Sequence, residues 1–130
     1  MSISCYLLLS IFNERVIRFF YIPLILFSSI VFGQSDSLIN YAKQVDGKER
    51  VEALHNVVID LWLNYPNRAM GYGEEALQLA KELNDSTLIS KSLRLIAGVY
   101  YYKGDFNLSL EYNEKALAIA HALNLSLIHI

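Results

Sequence analysis

The stretch Glu74–Asp85 reads EEALQLAKELND and the stretch Glu114–Leu125 reads EKALAIAHALNL, so the second copies the first at a distance of 40 residues (116 − 76 for the shared Ala-Leu pair). Six of the twelve aligned positions are identical: Glu74/Glu114, Ala76/Ala116, Leu77/Leu117, Ala80/Ala120, Leu83/Leu123 and Asn84/Asn124. A period of this size marks stacked helical hairpins, units that cannot bury an apolar face alone and are completed by a neighbour. The repeat therefore predicts an all-α fold of tandem antiparallel helical hairpins. Function in such a fold lies in surfaces rather than in a catalytic pocket.

Helical spacing and helix-ending residues place the elements. A helix is expected over Ser37–Val45, closed by Asp46-Gly47 because glycine suits a helix C-terminus. Val51, Leu54, Val58, Leu61 and Trp62 recur at helical spacing within Glu49–Leu63, and Asn64-Tyr65-Pro66 interrupts them. Proline fits the first turn of a helix, where its missing amide has no intrahelical partner, so the next helix runs from Pro66 to Leu83. Asn84-Asp85-Ser86 supplies a break and an N-cap for a helix from Thr87 to Lys103; Gly104-Asp105 turns the chain into a last helix over Phe106–Leu123.

The second helix of each hairpin carries a row of small residues: Ala69, Gly73, Ala76 and Ala80, then Ser109, Asn113, Ala116 and Ala120. Small side chains let two helix axes approach closely. A bulkier row runs beside it, Tyr72, Ala76, Leu79 and Leu83, then Tyr112, Ala116, Ile119 and Leu123, and is expected to pack on the neighbouring unit. Ile89, Leu93, Ile96 and Tyr100 form the expected buried face of the helix before Gly104.

On these residues the segment LRLIAGVYYYKGDFNLSLEYNEKALAI resembles a tetratricopeptide repeat. Leu93, Ile96, Ala97, Tyr100, Gly104-Asp105-Phe106, Ser109 and Ala116 fall where that family carries its large and small signature residues. The first unit is more divergent: Ala69 and Ala76 match, while Gly73 stands where an aromatic is usual, and Asn113 departs at the equivalent place in the second unit. No proline closes either repeat, and a spacing of 40 implies lengthened helices. The resemblance covers Val51–Leu123 and implies a tetratricopeptide-like α-solenoid, with repeats over residues 48–85 and 86–124 and a cap or partial repeat over 34–47. Arrays of this kind usually need three or more units, so the two seen here are expected to be part of a longer protein.

Between Phe19 and Gly33 the chain runs FFYIPLILFSSIVFG without a charge, with Arg15 and Arg18 before it and the polar stretch Gln34–Ser37 after it. A basic flank, a short apolar run and a small residue before the cut are the layout of a secretory signal, so residues 1–33 are expected to direct export with cleavage after Gly33. An uncleaved anchor is the alternative, although fifteen residues fall short of the roughly 20 that span a bilayer. The second apolar run, Cys5–Phe12, is out of place in a signal, and translation is expected to start near Val16 instead. Cys5 is the single cysteine and precedes the apolar run, which excludes disulfides and thiolate chemistry from the exported part. At the other end, Leu125–Ile130 (LSLIHI) is what the codons CTG TCT CTT ATA CAC ATC encode, a string that resembles a sequencing-library adapter. These six residues are expected to be a foreign tail or, alternatively, the opening of a next helix, and His129 carries no functional argument.

Removing residues 1–33 takes away Arg15, Arg18 and Glu14, which leaves nine basic and twelve acidic residues and a net charge of −3. Without a basic stripe, nucleic acid is not an expected partner. Catalytic and metal-binding patterns are not visible either. His55 and Asp60 are five apart and poorly aligned on a helix, His121 has no ligand partner nearby, and Glu74-Glu75 are adjacent and face apart. No cofactor and no enzymatic activity are expected of this segment. Asn84-Asp85-Ser86 and Asn107-Leu108-Ser109 match the glycosylation triplet, but helix breaks and starts use the same residues.

The resemblance implies a protein or peptide partner, bound on a concave surface formed mainly by the first helix of each hairpin. It points to Lys91, Arg94, Gly98, Tyr101 and Tyr102, with Leu54, His55, Val58 and Trp62 in the first unit. Lys91 and Arg94 are three apart and share a helix face, where they can meet an acidic side chain or a C-terminal carboxylate, or simply be solvated. Tyr100, Tyr101 and Tyr102 point about 100° apart in turn, so one is core and at least one is exposed. The exported signal, the spacing and the NYP-containing first hairpin look like the extracytoplasmic sensory regions of Bacteroidota-type signalling proteins, whose histidine-kinase or similar output would follow a membrane helix. The expected place is the periplasm or the outer side of a membrane. A stand-alone periplasmic or secreted adaptor is the alternative; a membrane-bound amphipathic helical protein is disfavoured by the acidic balance.

Overall fold

The computed structural model describes residues 35–128, with side chains through Asn124. The chain divides between Gln34 and Ser35, and every described residue belongs to the second unit. The expected export segment, Cys5 and the start near Val16 lie outside the described residues, as does His129.

The described residues are helical with no strand, in tandem antiparallel hairpins. Helix α1 covers 35–44, α2 Gly47–Leu61, α3 Pro66–Glu82, α4 Ser86–Lys103 and α5 Phe106–Ile128. Consecutive helices from α2 to α5 pack together, α2 also touches α4, and α3 does not reach α5. The first helices of the two hairpins thus lie on the tighter, inner side of the stack.

The turn residues fix the boundaries. Asp85 caps α4, its carboxylate accepting from the Thr87 and Leu88 amides at 3.1 Å each. Asp105 does the same for α5 through the Leu108 amide at 3.3 Å. Gly104 closes α4 at φ 83°, a left-handed conformation that costs glycine nothing. Asn84 adopts φ 50° at the end of the first hairpin, where asparagine is the side chain best able to do so. Asn124 has Leu125 after it where Asn84 has Asp85; with no carboxylate there to cap a new helix, α5 runs straight through to Ile128. Gly47 was expected to close the first helix and does lie at φ 61°, but the Asp46 carbonyl accepts from the Arg50 amide across it and α2 opens there.

The core gathers Ile39 and Ala42 of α1 with Val51, Leu54, Val57, Val58 and Leu61 of α2, the small row of α3, and Leu88, Leu95 and Val99 of α4. Ala69, Ala76 and Ala80 are fully enclosed, and a Cβ on Gly73 would stand 3.1 Å from Ile96 Cγ1, so this row does admit α4 closely. Its copy on α5 is only half used: Ser109 and Ala116 are buried, Asn113 is exposed and Ala120 is half-buried. The bulky row does not serve only the neighbouring unit. Tyr112 lies against Tyr100 of its own hairpin at 5.3 Å between ring centres, and Leu83 is largely exposed. Burial on α4 is wider than a single face, taking in Leu88, Ser92, Leu93, Leu95, Ile96, Ala97 and Val99, because α2, α3 and α5 all pack on this helix.

Candidate partner-binding surface

Lys91 and Arg94 are exposed on the first half of α4, on one wall of an open groove of about 400 Å3. Thr87 and Ser90 continue that wall; Ala120, Leu123 and Asn124 of α5 form the other. The Ser90 hydroxyl donates to the Ala116 carbonyl at 2.9 Å, which pins the two helices together beside the groove. The ion pairs among the described residues are Lys48–Asp85, Arg50–Glu75 and Lys115–Glu111. Neither Lys91 nor Arg94 takes part in one. Two cations three residues apart therefore face a cleft whose other wall is apolar at Ala120 and Leu123 and polar at Asn124, with no carboxylate among its described lining residues. Such a cleft fits an anionic group attached to something apolar.

The aromatic candidates sit elsewhere. Trp62 packs on the α4 backbone at Gly98, where a Cβ would stand 2.8 Å from Trp62 Cζ3. Gly98 is thus the notch that admits the indole and not an open part of a binding surface. From Trp62 a chain of rings runs outward: Tyr102 at 5.5 Å between centres, Tyr101 at 5.6 Å from Tyr102, and Phe106 at 5.5 Å from Tyr101. Tyr101, Tyr102 and Phe106 are 57%, 45% and 62% exposed, whereas Tyr100 is half-buried, so one of the three adjacent tyrosines faces inward and two face out. Lys91 and Tyr101 are ten residues apart on one helix, about 15 Å at 1.5 Å per residue. The groove and the ring chain are two separate features, one toward each end of α4.

His55 belongs to neither and corrects the sequence-based placement. It is 1% exposed, and its neighbours in that placement, Leu54 and Val58, are equally enclosed. The cause is α4, which packs directly on this side of α2. His55 Nε2 lies 2.7 Å from Ser92 Oγ, and Ser92 in turn donates to the Leu88 carbonyl at 2.8 Å. The single serine proton is used there, so the imidazole carries its proton on Nε2 and donates it to Ser92. Nδ1 is buried and unpartnered. Burial, helped by the Lys91 charge, pushes the His55 pKa down to about 4. A neutral, enclosed histidine joining the first helices of two hairpins is a structural element.

The described residues contain no group of acidic, histidine and cysteine side chains that could hold a metal ion, and no helix among them is long and apolar enough to cross a membrane. The groove walls on α5 and the Ser92 partner of His55 were not foreseen, since nothing local in the sequence links residues 26 to 37 positions apart. The chain matches none of the family models, curated proteins or solved structures with which it was compared.

Proposed function

We propose that the hairpins form a tetratricopeptide-like scaffold that binds a peptide or protein segment, and that they are the exported, extracytoplasmic sensory part of a signalling protein. The observation that carries the binding reading is the pair of uncompensated cations, Lys91 and Arg94, opposite Ala120 and Leu123 in an open groove. The ligand suited to it is a segment bearing a carboxylate, from a side chain or a chain end, beside an apolar residue. The cations supply orientation and the α5 wall supplies apolar contact.

The test uses fluorescence polarisation with labelled peptide pools that differ only in carrying free or amidated C-termini and acidic or neutral side chains. The acidic pools are expected to bind in a salt-sensitive way, and Lys91→Glu with Arg94→Glu is expected to lower their affinity at least about tenfold, the scale of one charge-assisted hydrogen bond of 1.5–3 kcal/mol. Equal binding of all pools, or unchanged affinity in the double variant, refutes the assignment to this groove.

A further inference from the structure

The groove is the second hairpin's copy of a place that is already filled on the first. Buried positions of the first helices recur at 42 residues, Val51, Leu54 and Val57 answering to Leu93, Ile96 and Val99; those of the second helices recur at 40, Ala69 and Ala76 answering to Ser109 and Ala116. By the same offsets the groove wall of Ser90, Lys91 and Arg94 corresponds to Lys48, Glu49 and Glu52 on α2. The wall of Ala120, Leu123 and Asn124 corresponds to Ala80, Leu83 and Asn84 at the end of the first hairpin.

What fills the earlier place is the start of α4. The Asp85 amide donates to the Ala80 carbonyl at 3.2 Å, and the Asp85 carboxylate meets Lys48 Nζ at 2.6 Å. Leu88, three residues on, is buried in the same core as Ala80. Ala80 is fully enclosed there, whereas its copy Ala120 is only half-buried. Two differences mark the second place. The first hairpin ends in a left-handed turn at Asn84 that delivers α4 into its seat, whereas the residues after Asn124 continue α5 to Ile128 instead of entering the groove. The charge also changes sign: Glu49 and Glu52 give way to Lys91 and Arg94, so the groove favours an acid more strongly than the seat that accepts Asp85.

We propose that the groove receives the first turn of a partner's helix, capped by an aspartate with a leucine three residues later, as α4 presents Asp85 and Leu88 to the first hairpin. The inference rests on the groove reading above and narrows its ligand from any acidic segment to a helix start. The partner's leucine covers Ala120 and Leu123. Its aspartate caps its own helix and pairs with Lys91 or Arg94, which makes the positive end of a helix acceptable beside two cations.

The probe is a labelled peptide copying Asn84–Ile96, held helical by a hydrocarbon link between the positions of Thr87 and Lys91, both exposed in α4. It is offered to the full chain in fluorescence polarisation beside its unlinked form and the acidic peptide pools. Asp85→Asn in the peptide keeps the cap and removes only the charge, and is expected to weaken binding roughly tenfold; Leu88→Ala is expected to do the same by removing buried apolar area. In the full chain, Lys91→Glu with Arg94→Glu is expected to abolish the preference for the peptide's aspartate over asparagine. Ala120→Gln, which fills the groove from its α5 wall without adding charge, is expected to weaken both peptides. Linked and unlinked peptides that bind equally, or a linked peptide weaker than the acidic pools, overturn the helix-start inference while the groove reading stands. Equal affinity for the aspartate and asparagine peptides overturns it as well. Binding of every ligand that is unchanged in the double variant sinks both.

Discussion

Acidification is predicted to loosen the joint between the two hairpins through His55. In the folded protein the ring is neutral, donates Nε2–H to Ser92 and leaves Nδ1 bare in the core. Protonation would place a second N–H where no acceptor waits, and Lys91, the one charge acting on the ring, opposes it. The folded pKa is about 4 against 6.5 for a free histidine. Because the folded form binds its proton more weakly than the unfolded chain, stability is full above about pH 6.5 and falls as the pH drops toward 4. Linkage gives a loss of about 2 kcal/mol at about pH 5, approaching about 3 kcal/mol near pH 4, at 1.36 kcal/mol per pKa unit. That is a large share of the total for a small domain. Urea unfolding of the full chain, followed by Trp62 fluorescence at about pH 7, 6 and 5, measures the slope, and His55→Gln supplies the control because an amide keeps a donor for Ser92 and does not titrate. The wild type is expected to lose about 2 kcal/mol more than the variant between pH 7 and 5. Identical slopes for the two proteins would show that the ring is not held neutral by the fold.

Two further substitutions probe the geometry around α4. Gly98→Ala gains about 1 kcal/mol of helix propensity but drives a methyl group into the Trp62 ring at 2.8 Å, an overpacking cost of about 1–3 kcal/mol, so net destabilisation of about 1 kcal/mol is expected in urea unfolding, with a changed near-ultraviolet signal from Trp62. Asp85→Ala is expected to cost clearly more stability than Lys48→Ala, because the carboxylate caps two amides of α4 while the exposed lysine adds only a surface pair. Lys48 and the two amides hold the Asp85 carboxyl below its ordinary pKa, so its contribution is present at neutral pH and disappears in acid, below the range in which His55 titrates.

The helices were legible because caps and period agree. Asp85, Gly104 and Pro66 each do locally what their chemistry dictates, and the small row of α3 recurs on α5 at 40 residues. The first helices repeat too, but at 42: buried Val51, Ala53, Leu54, His55 and Val57 correspond to buried Leu93, Leu95, Ile96, Ala97 and Val99 (93 − 51). The link between helices is residues 62–65 in the first hairpin and 104–105 in the second, and the two extra residues hide this half of the repeat from any comparison at a single spacing. The same offset explains His55. It occupies the inward position that Ala97 fills in the second hairpin, so a reading that sets it beside Trp62 on an open concave surface misjudges the side on which α4 packs. Lys91 and Arg94 were legible as a pair because three residues on a helix fix a shared face. The opposite wall was not, since it depends on how α5 folds back.

The length of α4 connects the separate parts of the surface. Ser86–Lys103 is a helix of 18 residues, about 27 Å long, with α2, α3 and α5 packed on it and its exposed positions on one face of the first half and at the C-terminal end. In its first half the exposed positions include Lys91 and Arg94; at its end they include Tyr101 and Tyr102. Ser92 with its bond to His55 and the Gly98 notch for Trp62 tie α4 to α2, beside the close packing of the α3 small row on Ile96. A shift of α4 along α2 would break both contacts and displace both ends at once. The groove is therefore expected to depend on the His55–Ser92 joint although neither residue lines it, and weakening that joint is expected to lower peptide affinity. Peptide affinity measured in wild type and Ser92→Ala, which removes the hydroxyl that accepts from His55, checks this: equal affinities would mean that the joint does not set the geometry of the groove.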